Sequence, residues 1–369
     1  ASAPSTISGN WFGHLNQPIS MVNAQYTTVD SNQGYEIERM AVEMIGDALT
    51  GTPALDHPGI TVTNNRFGNW RRIDTTSLCA GNDVCLRRYE IIALSVVSST
   101  GANVSNNVLD CGTGCVNADK GWGIEFSSYG TASVTHNTVR GFSLGIGAHN
   151  GQTLSLNENA LFEVNVGIVT SAAGSIDSLT INANQIEAAA SHLDNNSGQW
   201  GSGIAPQWDH AGAVTLSNNT VTYKTSASRA PVGGEYVGIQ VAAVRAQGTP
   251  GTISGNRLLI EGTPVAGFNV YGIRMSGTNG SLSGTSVTSN WGSAPADATT
   301  SPKGETTRLP PTPVGAAEAS GSPSHGPRLV TSSSRAEGSW LSEREESSAS
   351  TKLPGIRTGR RFRPRPPAT

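Results

Sequence analysis

Two short motifs recur along the chain in a fixed order. The first is Gly-Ile, separated by intervals of 22, 22, 36, 35 and 34 residues at Gly123, Gly145, Gly167, Gly203, Gly238 and Gly272. The second is an asparagine with an apolar residue three positions before it and another two positions after it. It recurs around Asn10, Asn65, Asn107, Asn137, Asn159, Asn184, Asn219 and Asn256, and a last copy, Leu282 to Val287, carries Thr285 in the asparagine position. The two series of motifs, here called tracks, keep a fixed order while the number of residues between them varies. This pattern predicts a solenoid with one coil per repeat.

The residue pattern around each Gly-Ile predicts short strands. Trp122, Ile124 and Phe126 alternate with Gly123 and Glu125, so we expect the three apolar side chains to face the core and the other two residues to face outward. Stacked coils then pair strand on strand in parallel at roughly 4.8 Å. Asparagine tolerates the left-handed conformation of a sharp corner, and stacked amides form ladders. Glycine leaves room for the next coil.

A leucine-rich repeat is the alternative to a β-solenoid. The stretch from Leu154 to Leu161 fits the core pattern of that repeat. However, the return segments of this chain read as strands, and Val and Ile are as frequent as Leu. Intervals of 34 to 36 residues also exceed the repeat length of about 20–29 residues. A β-helix is therefore favoured.

On these two tracks, residues 5 to 292 resemble the right-handed parallel β-helix superfamily with the pectate-lyase-like fold. The predicted architecture is all-β, a right-handed single-stranded parallel β-helix solenoid over residues 1–292. An open first coil exposes strand edges, so we expect a capping domain or a partner at the N-terminal coil. The stretch from Tyr35 to Gly46 is predicted to be a strand pair or a short helix. Residues 293–369 are rich in Pro, Ser and Arg and aperiodic, which predicts a disordered tail.

Charge and cysteine usage restrict the partners and the compartment. The first 300 residues carry 13 Lys and Arg against 21 Asp and Glu, a balance near −8 that argues against nucleic acid. No apolar run reaches the 18 residues of a membrane span. The start at Ala1 has no leader and indicates a mature or truncated product. The protein is thus expected to be secreted, extracellular or periplasmic.

The four cysteines are predicted to form disulfides rather than a zinc site. Their C-x5-C and C-x3-C spacings are unlike the common zinc patterns, and disulfides are typical of exported proteins. Buried free thiols are the remaining alternative. The disulfide candidates are Cys79, Cys85, Cys111 and Cys115.

The resemblance implies a function on polysaccharides. Pectate-lyase-like proteins are mostly secreted lyases, hydrolases or epimerases of uronate-containing polymers, and some are phage tailspikes or adhesins. The expectation is therefore a secreted lyase or glycoside hydrolase acting on an extended glycan along the β-helix face. A non-catalytic carbohydrate-binding adhesin or tailspike-like surface protein is the alternative, and a structural module of a larger assembly is a third. The signatures of pectate lyases, polygalacturonases and alginate epimerases are absent from the chain.

The candidate site residues follow from their positions around the motifs. A lyase needs a base and a cation, and a hydrolase needs two facing carboxylates. Glu125 and His149 are predicted on adjacent coils about 5 Å apart, with Lys120 and Arg140 nearby in the sequence as the rest of the catalytic set. The candidate substrate-binding residues are Asp119, Trp200, Trp208, Asp209, His210 and Arg274. No metal site and no cofactor are predicted, and calcium is left open without a site.

Overall fold

A computed structural model describes residues 4–22, 25–45, 58–71, 91–98, 100–112, 121–128, 130–149, 151–170, 176–189, 200–206, 211–224, 235–243, 251–261, 269–277 and 286–293. These residues form 29 β-strands and no helix. The tail predicted for residues 293–369 falls, beyond Ser293, outside the described residues. Among the described residues there is no apolar helix of membrane-spanning length.

The strands assemble into three parallel sheets, here called A, B and C. Sheet A contains β1 Ser5–Ser8, β4 Thr27–Asp30, β7 Pro58–Thr63, β10 Thr100–Ser105, β13 Thr131–Thr135, β16 Gly151–Asn157, β19 Ile176–Asn182, β22 Ala211–Ser217, β25 Thr252–Ser254 and β28 Ser286–Thr288. Sheet B contains β2 Trp11–Gly13, β5 Gln33–Tyr35, β8 Arg66–Gly68, β11 Val108–Asp110, β14 Thr138–Arg140, β17 Ala160–Val164, β20 Gln185–Ala189, β23 Thr220–Lys224, β26 Arg257–Glu261 and β29 Trp291–Ser293. Sheet C contains β3 Ile19–Val22, β6 Val42–Ile45, β9 Ile92–Ser98, β12 Trp122–Ser128, β15 Leu144–His149, β18 Val166–Thr170, β21 Trp200–Pro206, β24 Glu235–Ala243 and β27 Asn269–Gly277.

Each coil contributes one strand to sheet A, then one to B and one to C, and each strand pairs with the strands of the coils next to it. Successive strands within one sheet are three elements apart in the chain throughout. This is the parallel β-helix predicted from the two tracks. The stretch from Tyr35 to Gly46 supplies the end of β5 and the whole of β6, which belong to different sheets and do not pair with each other.

The core is built from vertical columns of branched side chains. In sheet C one such column holds Ile19, Val42, Leu94, Ile124, Ile146, Ile168, Ile204, Ile239 and Ile273 in register. The first eight are at most 4% exposed. β-Branched and leucine side chains at a fixed spacing stack on one another in the interior, and their burial contributes hydrophobic stabilisation.

An asparagine ladder forms the corner between sheets A and B. Asn159 shows the pattern: its Oδ1 accepts hydrogen bonds from the backbone N and the Nδ2 of Asn137, both at 3.0 Å. Its Nδ2 donates to Asn184 Oδ1 at 3.0 Å and to the carbonyl of Val134 at 2.9 Å. The ladder comprises Asn10, Asn32, Asn65, Asn107, Asn137, Asn159, Asn184, Asn219, Asn256 and Asn290.

Two rungs of this ladder differ from the sequence prediction. Asn32 was missed because Gly34 stands where an apolar residue is expected, and a Cβ there would lie 2.5 Å from the Phe67 ring of the next coil. The last rung is Asn290, whose Oδ1 accepts from Asn256 Nδ2 at 2.8 Å. Because Asn290 accepts from Asn256 in this way, the prediction that Thr285 fills the last rung is wrong. Thr285 itself lies outside the described residues.

The left-handed residue of each corner precedes the asparagine rather than being the asparagine itself. His136 and Glu158, for example, both have φ of 57°. Their side chains face each other on neighbouring coils, with 2.6 Å between His136 Nε2 and Glu158 Oε2. The buried asparagines keep ordinary backbone conformations, and their side-chain amides form the hydrogen bonds of the ladder.

The repeated glycines point into the core, contrary to the outward position expected for Gly123. A Cβ on Gly123 would lie 2.3 Å from Val139 Cγ1 of sheet B and 2.7 Å from the carbonyl oxygen of Gly145. The same clash with the glycine carbonyl of the next coil recurs at Gly145, Gly167, Gly203 and Gly238. The chain turns from sheet B into sheet C here, so two consecutive residues face inward. The glycine column is therefore required for close coil stacking.

One end of a predicted disulfide falls in the described residues. Cys111 follows β11, is fully buried and is disulfide-bonded. Cys79, Cys85 and Cys115 lie outside the described residues.

Candidate active site

The outward column of sheet C holds the candidate catalytic groups. In register, it runs through Ser20, Glu43, Ser95, Glu125, Gly147, Val169 and Ala205, with Gln240 and Arg274 aligned with each other on the last two strands. The positions that follow each Gly-Ile thus share one face of the sheet, as the sequence pattern predicts. The three coils before the first Gly-Ile extend that face.

Two carboxylates lie on this column. Glu43 Oε2 accepts a hydrogen bond from the Ser20 hydroxyl at 2.7 Å and another from Gln17 Nε2. Glu125 Oε2 accepts one from the Ser95 hydroxyl at 3.0 Å. Each glutamate is half-buried and is oriented by the serine of the coil before it. Ser95 is the register partner of both glutamates, so the Cα atoms of Glu43 and Glu125 are two strand spacings apart, about 9.6 Å.

Trp122 lies on the outer face beside Glu125. A Cβ on Gly147, the outward residue one coil after Glu125, would lie 2.5 Å from Trp122 Cζ3. The indole therefore occupies the space above Gly147 instead of packing in the core as the alternation predicted. An aromatic ring next to a carboxylate is the combination that can stack on a sugar ring and act on its bond.

The later part of the column is buried even though it faces outward. Val169, Ala205 and Gln240 are 8%, 7% and 6% exposed. Ser95 and Gly147 are buried as well. Since a polymer needs accessible side chains, the usable residues of the described column are Ser20, Glu43 and Glu125, with Arg274 half-buried near the far end.

The structure places the predicted catalytic residues in different positions. His149 belongs to the strand next to that of Glu125, but its register partner is Ser127, so the two backbones are diagonal neighbours about 8 Å apart rather than 5 Å. Arg140 is on sheet B, where its Nη1 lies 2.8 Å from Glu163 Oε1 and its guanidinium covers the Phe162 ring. Glu125 and Arg140 are therefore not brought together.

The predicted substrate-binding residues are only partly described. Trp200 is the first residue of β21. Arg274 lies on the outward column of sheet C, with its guanidinium 5.4 Å from the centre of the Tyr271 ring. Lys120 and the remaining candidates, Asp119, Trp208, Asp209 and His210, lie outside the described residues.

Other charged side chains lie on the outer face of sheet B. Lys224 Nζ is 2.8 Å from Glu187 Oε2, and this hydrogen bond, with nearby Glu261 and Glu163, raises the pKa of Lys224. Lys224 is thus surrounded by three carboxylates of sheet B. Among the described residues, no three His, Cys, Asp or Glu side chains are grouped as metal ligands would be.

Sequence reasoning missed Glu43, Ser95 and the outward position of Trp122. The first two could have been found from a relaxed form of the Gly-Ile motif. Ala41 and Ala93 stand in the glycine position, and an apolar-polar-apolar strand follows each of them. Comparison of the chain with protein-family models, with curated proteins and with solved structures gives no match.

Proposed function

We propose that the protein is a secreted glycoside hydrolase that acts on an extended glycan along the outer face of sheet C. Glu43 and Glu125 form the carboxylate pair of this site. The observation that carries the proposal is their position on one outward column, separated by a single coil and each hydrogen-bonded to a serine.

The spacing favours hydrolysis with inversion. Inverting glycosidases hold their carboxyl groups about 6.5–9.5 Å apart to admit a water, whereas retaining enzymes need about 5–5.5 Å. The Cα atoms of the two glutamates are two coil spacings, about 9.6 Å, apart. Both carboxylates bond the serine of the preceding coil, so their own separation stays close to this value and is nearer the inverting range than the retaining one. One glutamate then protonates the leaving oxygen while the other activates the water. The Ser20 and Ser95 hydroxyls fix the two carboxylates in orientation.

Elimination by a lyase is less well supported. It needs a cation beside the base to stabilise the enolate. Among the described residues of the outward column, Arg274 is five coils beyond Glu125, or about 24 Å at the strand spacing. Lys120, the cation predicted beside Glu125, lies outside the described residues. The resemblance to pectate-lyase-like proteins supports a polysaccharide substrate in either case, and the disulfide of Cys111 supports export.

Replacing either glutamate by glutamine is expected to abolish catalysis without unfolding the protein. Glu43→Gln and Glu125→Gln should each lower kcat by about 10²–10⁴. The measurement is the release of reducing ends from a panel of neutral and acidic polysaccharides. Glu187→Gln, on sheet B, is the matched control and should keep its activity. Full activity in both site variants, or unsaturated products seen by ultraviolet absorbance, would contradict the assignment. Saturable glycan binding without turnover would instead indicate an adhesin.

Removing the indole of Trp122 is expected to weaken substrate binding more than turnover. Trp122→Ala should raise KM about fivefold, because stacking on an aromatic ring contributes about 1 kcal/mol beyond simple burial. Trp291→Ala removes an exposed tryptophan from sheet B and is the control. Equal KM values for the two variants would exclude Trp122 from the binding face.

A further inference from the structure

The outer face of sheet A carries two columns of small polar side chains, and the first column is the more regular. We call it the hydroxyl column. It consists of Thr6, Thr28, Thr61, Asn103, Ser133, Ser155, Thr180, Thr215, Thr252 and Ser286. All ten are half-buried or exposed. No register shift interrupts the pairing of the described strands of this sheet.

The second column lies two residues further along each strand. It consists of Ser8, Asp30, Thr63, Ser105, Thr135, Asn157, Asn182, Ser217, Ser254 and Thr288. Sixteen of the twenty side chains in the two columns are hydroxyls, and Asp30 is the one charge among them. None is aromatic. This face is therefore unlike the Glu and Trp face of sheet C.

The two columns differ in how their polar groups are satisfied. In the second column Thr63 donates to Asp30 at 2.9 Å and Ser217 donates to Asn182 at 2.9 Å. In the part of the chain that the structure describes, no intramolecular hydrogen bond engages the side chains of the hydroxyl column. Neighbouring hydroxyls are about 4.8 Å apart, too far to bond each other.

Water must therefore supply the hydrogen-bond partners of the hydroxyl column. The bound water molecules are then spaced as the coils are. Bound waters repeat about every 4.8 Å along the axis. In a tetrahedral water network with O–H···O distances of about 2.75 Å, next-nearest oxygens are about 4.5 Å apart. The two periods differ by less than a tenth, so over four coils the mismatch accumulates to about 1 Å, which a hydroxyl rotation can absorb.

We propose that the hydroxyl column of sheet A is an ice-binding surface that holds a row of water in the arrangement of the ice lattice. Each rung contributes little alone, and runs of about four rungs, over which the mismatch stays near 1 Å, contribute together. The lack of aromatic rings and the near absence of charge on this face favour a water lattice over a sugar chain. Ice binding by sheet A is independent of glycan hydrolysis on sheet C.

Lysines placed in the middle of the hydroxyl column test the assignment. The paired variant Thr180→Lys with Thr215→Lys puts two long cations on the face, and Thr138→Lys with Thr220→Lys does the same on sheet B. All four threonines are half-buried and outward. Thr180 and Thr215 are on neighbouring coils of sheet A, and Thr138 and Thr220 are three coils apart on sheet B. The full chain of each protein is partitioned between growing ice and liquid, and inhibition of ice recrystallisation is measured.

The wild-type chain and the sheet B variant should enter the ice and inhibit recrystallisation, while the sheet A variant should need at least about tenfold more protein. Circular dichroism and melting temperature establish that each variant is folded, and Ser133→Lys gives a single-site test if the double variant unfolds. Exclusion of the wild-type chain from ice overturns the proposal. So do equal losses in both variants, and so does retention on insoluble cellulose or chitin through sheet A without retention in ice.

Discussion

Gly167→Ala is expected to destabilise the protein by about 3 kcal/mol or more, at the upper end of what overpacking costs in a core. The new Cβ would lie 2.4 Å from the carbonyl oxygen of Gly203 and 2.6 Å from Ile186 Cγ2. A side-chain tip can rotate away, but the Gly203 carbonyl belongs to the backbone of the next coil. It can move only if the coils separate, which weakens the pairing of β18 with β21.

Gly272→Ala is the matched control for this prediction. Gly272 occupies the same column on the last strand of sheet C, and a Cβ there would meet only Leu258 Cδ1 at 3.4 Å, an ordinary contact. Its cost should stay within about 0.5 kcal/mol. Urea unfolding followed by circular dichroism measures both variants. Similar midpoints for the two would show that the glycine column is not needed for coil stacking.

Asn159→Ala is expected to cost about 4 kcal/mol, because it leaves several buried polar groups without partners. The backbone N and Nδ2 of Asn137 both lose their acceptor, and the Val134 carbonyl loses its donor. Asn159 is 1% exposed, so water does not readily replace these bonds. Each unsatisfied buried group costs about 1–3 kcal/mol.

Asn103→Ala is the control that distinguishes the loss of a ladder amide from the loss of any asparagine side chain. Asn103 faces solvent on sheet A, and its replacement should change stability by less than about 0.5 kcal/mol. The free energy of unfolding in urea, extrapolated to water, gives both values. A small loss at Asn159 would mean that the corner is held by the strands alone.

The fold was predictable because its signals are local. A glycine that avoids the next coil and an isoleucine that fills the core stand side by side, and each recurs once per coil. The orientation of Trp122 was not predictable from alternation, since the corner places Gly123 and Ile124 on the same side. Asn32 and Asn290 were hidden because Gly34 and Gly292 occupy apolar positions beside them.

The candidate site was only half predictable. Glu125 follows a Gly-Ile and was found, whereas Glu43 sits 82 residues earlier in a coil without that motif. Whether two such residues share a column depends on the lengths of the segments between strands, which vary from coil to coil. Arg140 and Glu125 show the converse, because they are close in sequence yet on different sheets.

The asparagine ladder gives the molecule a direction along its axis. Each rung from Asn10 to Asn256 donates toward the coil that follows it, so the amide dipoles add instead of cancelling. Though the described coils look alike, their ladder has a chemical direction, and a further rung can continue it only with its amide oriented the same way.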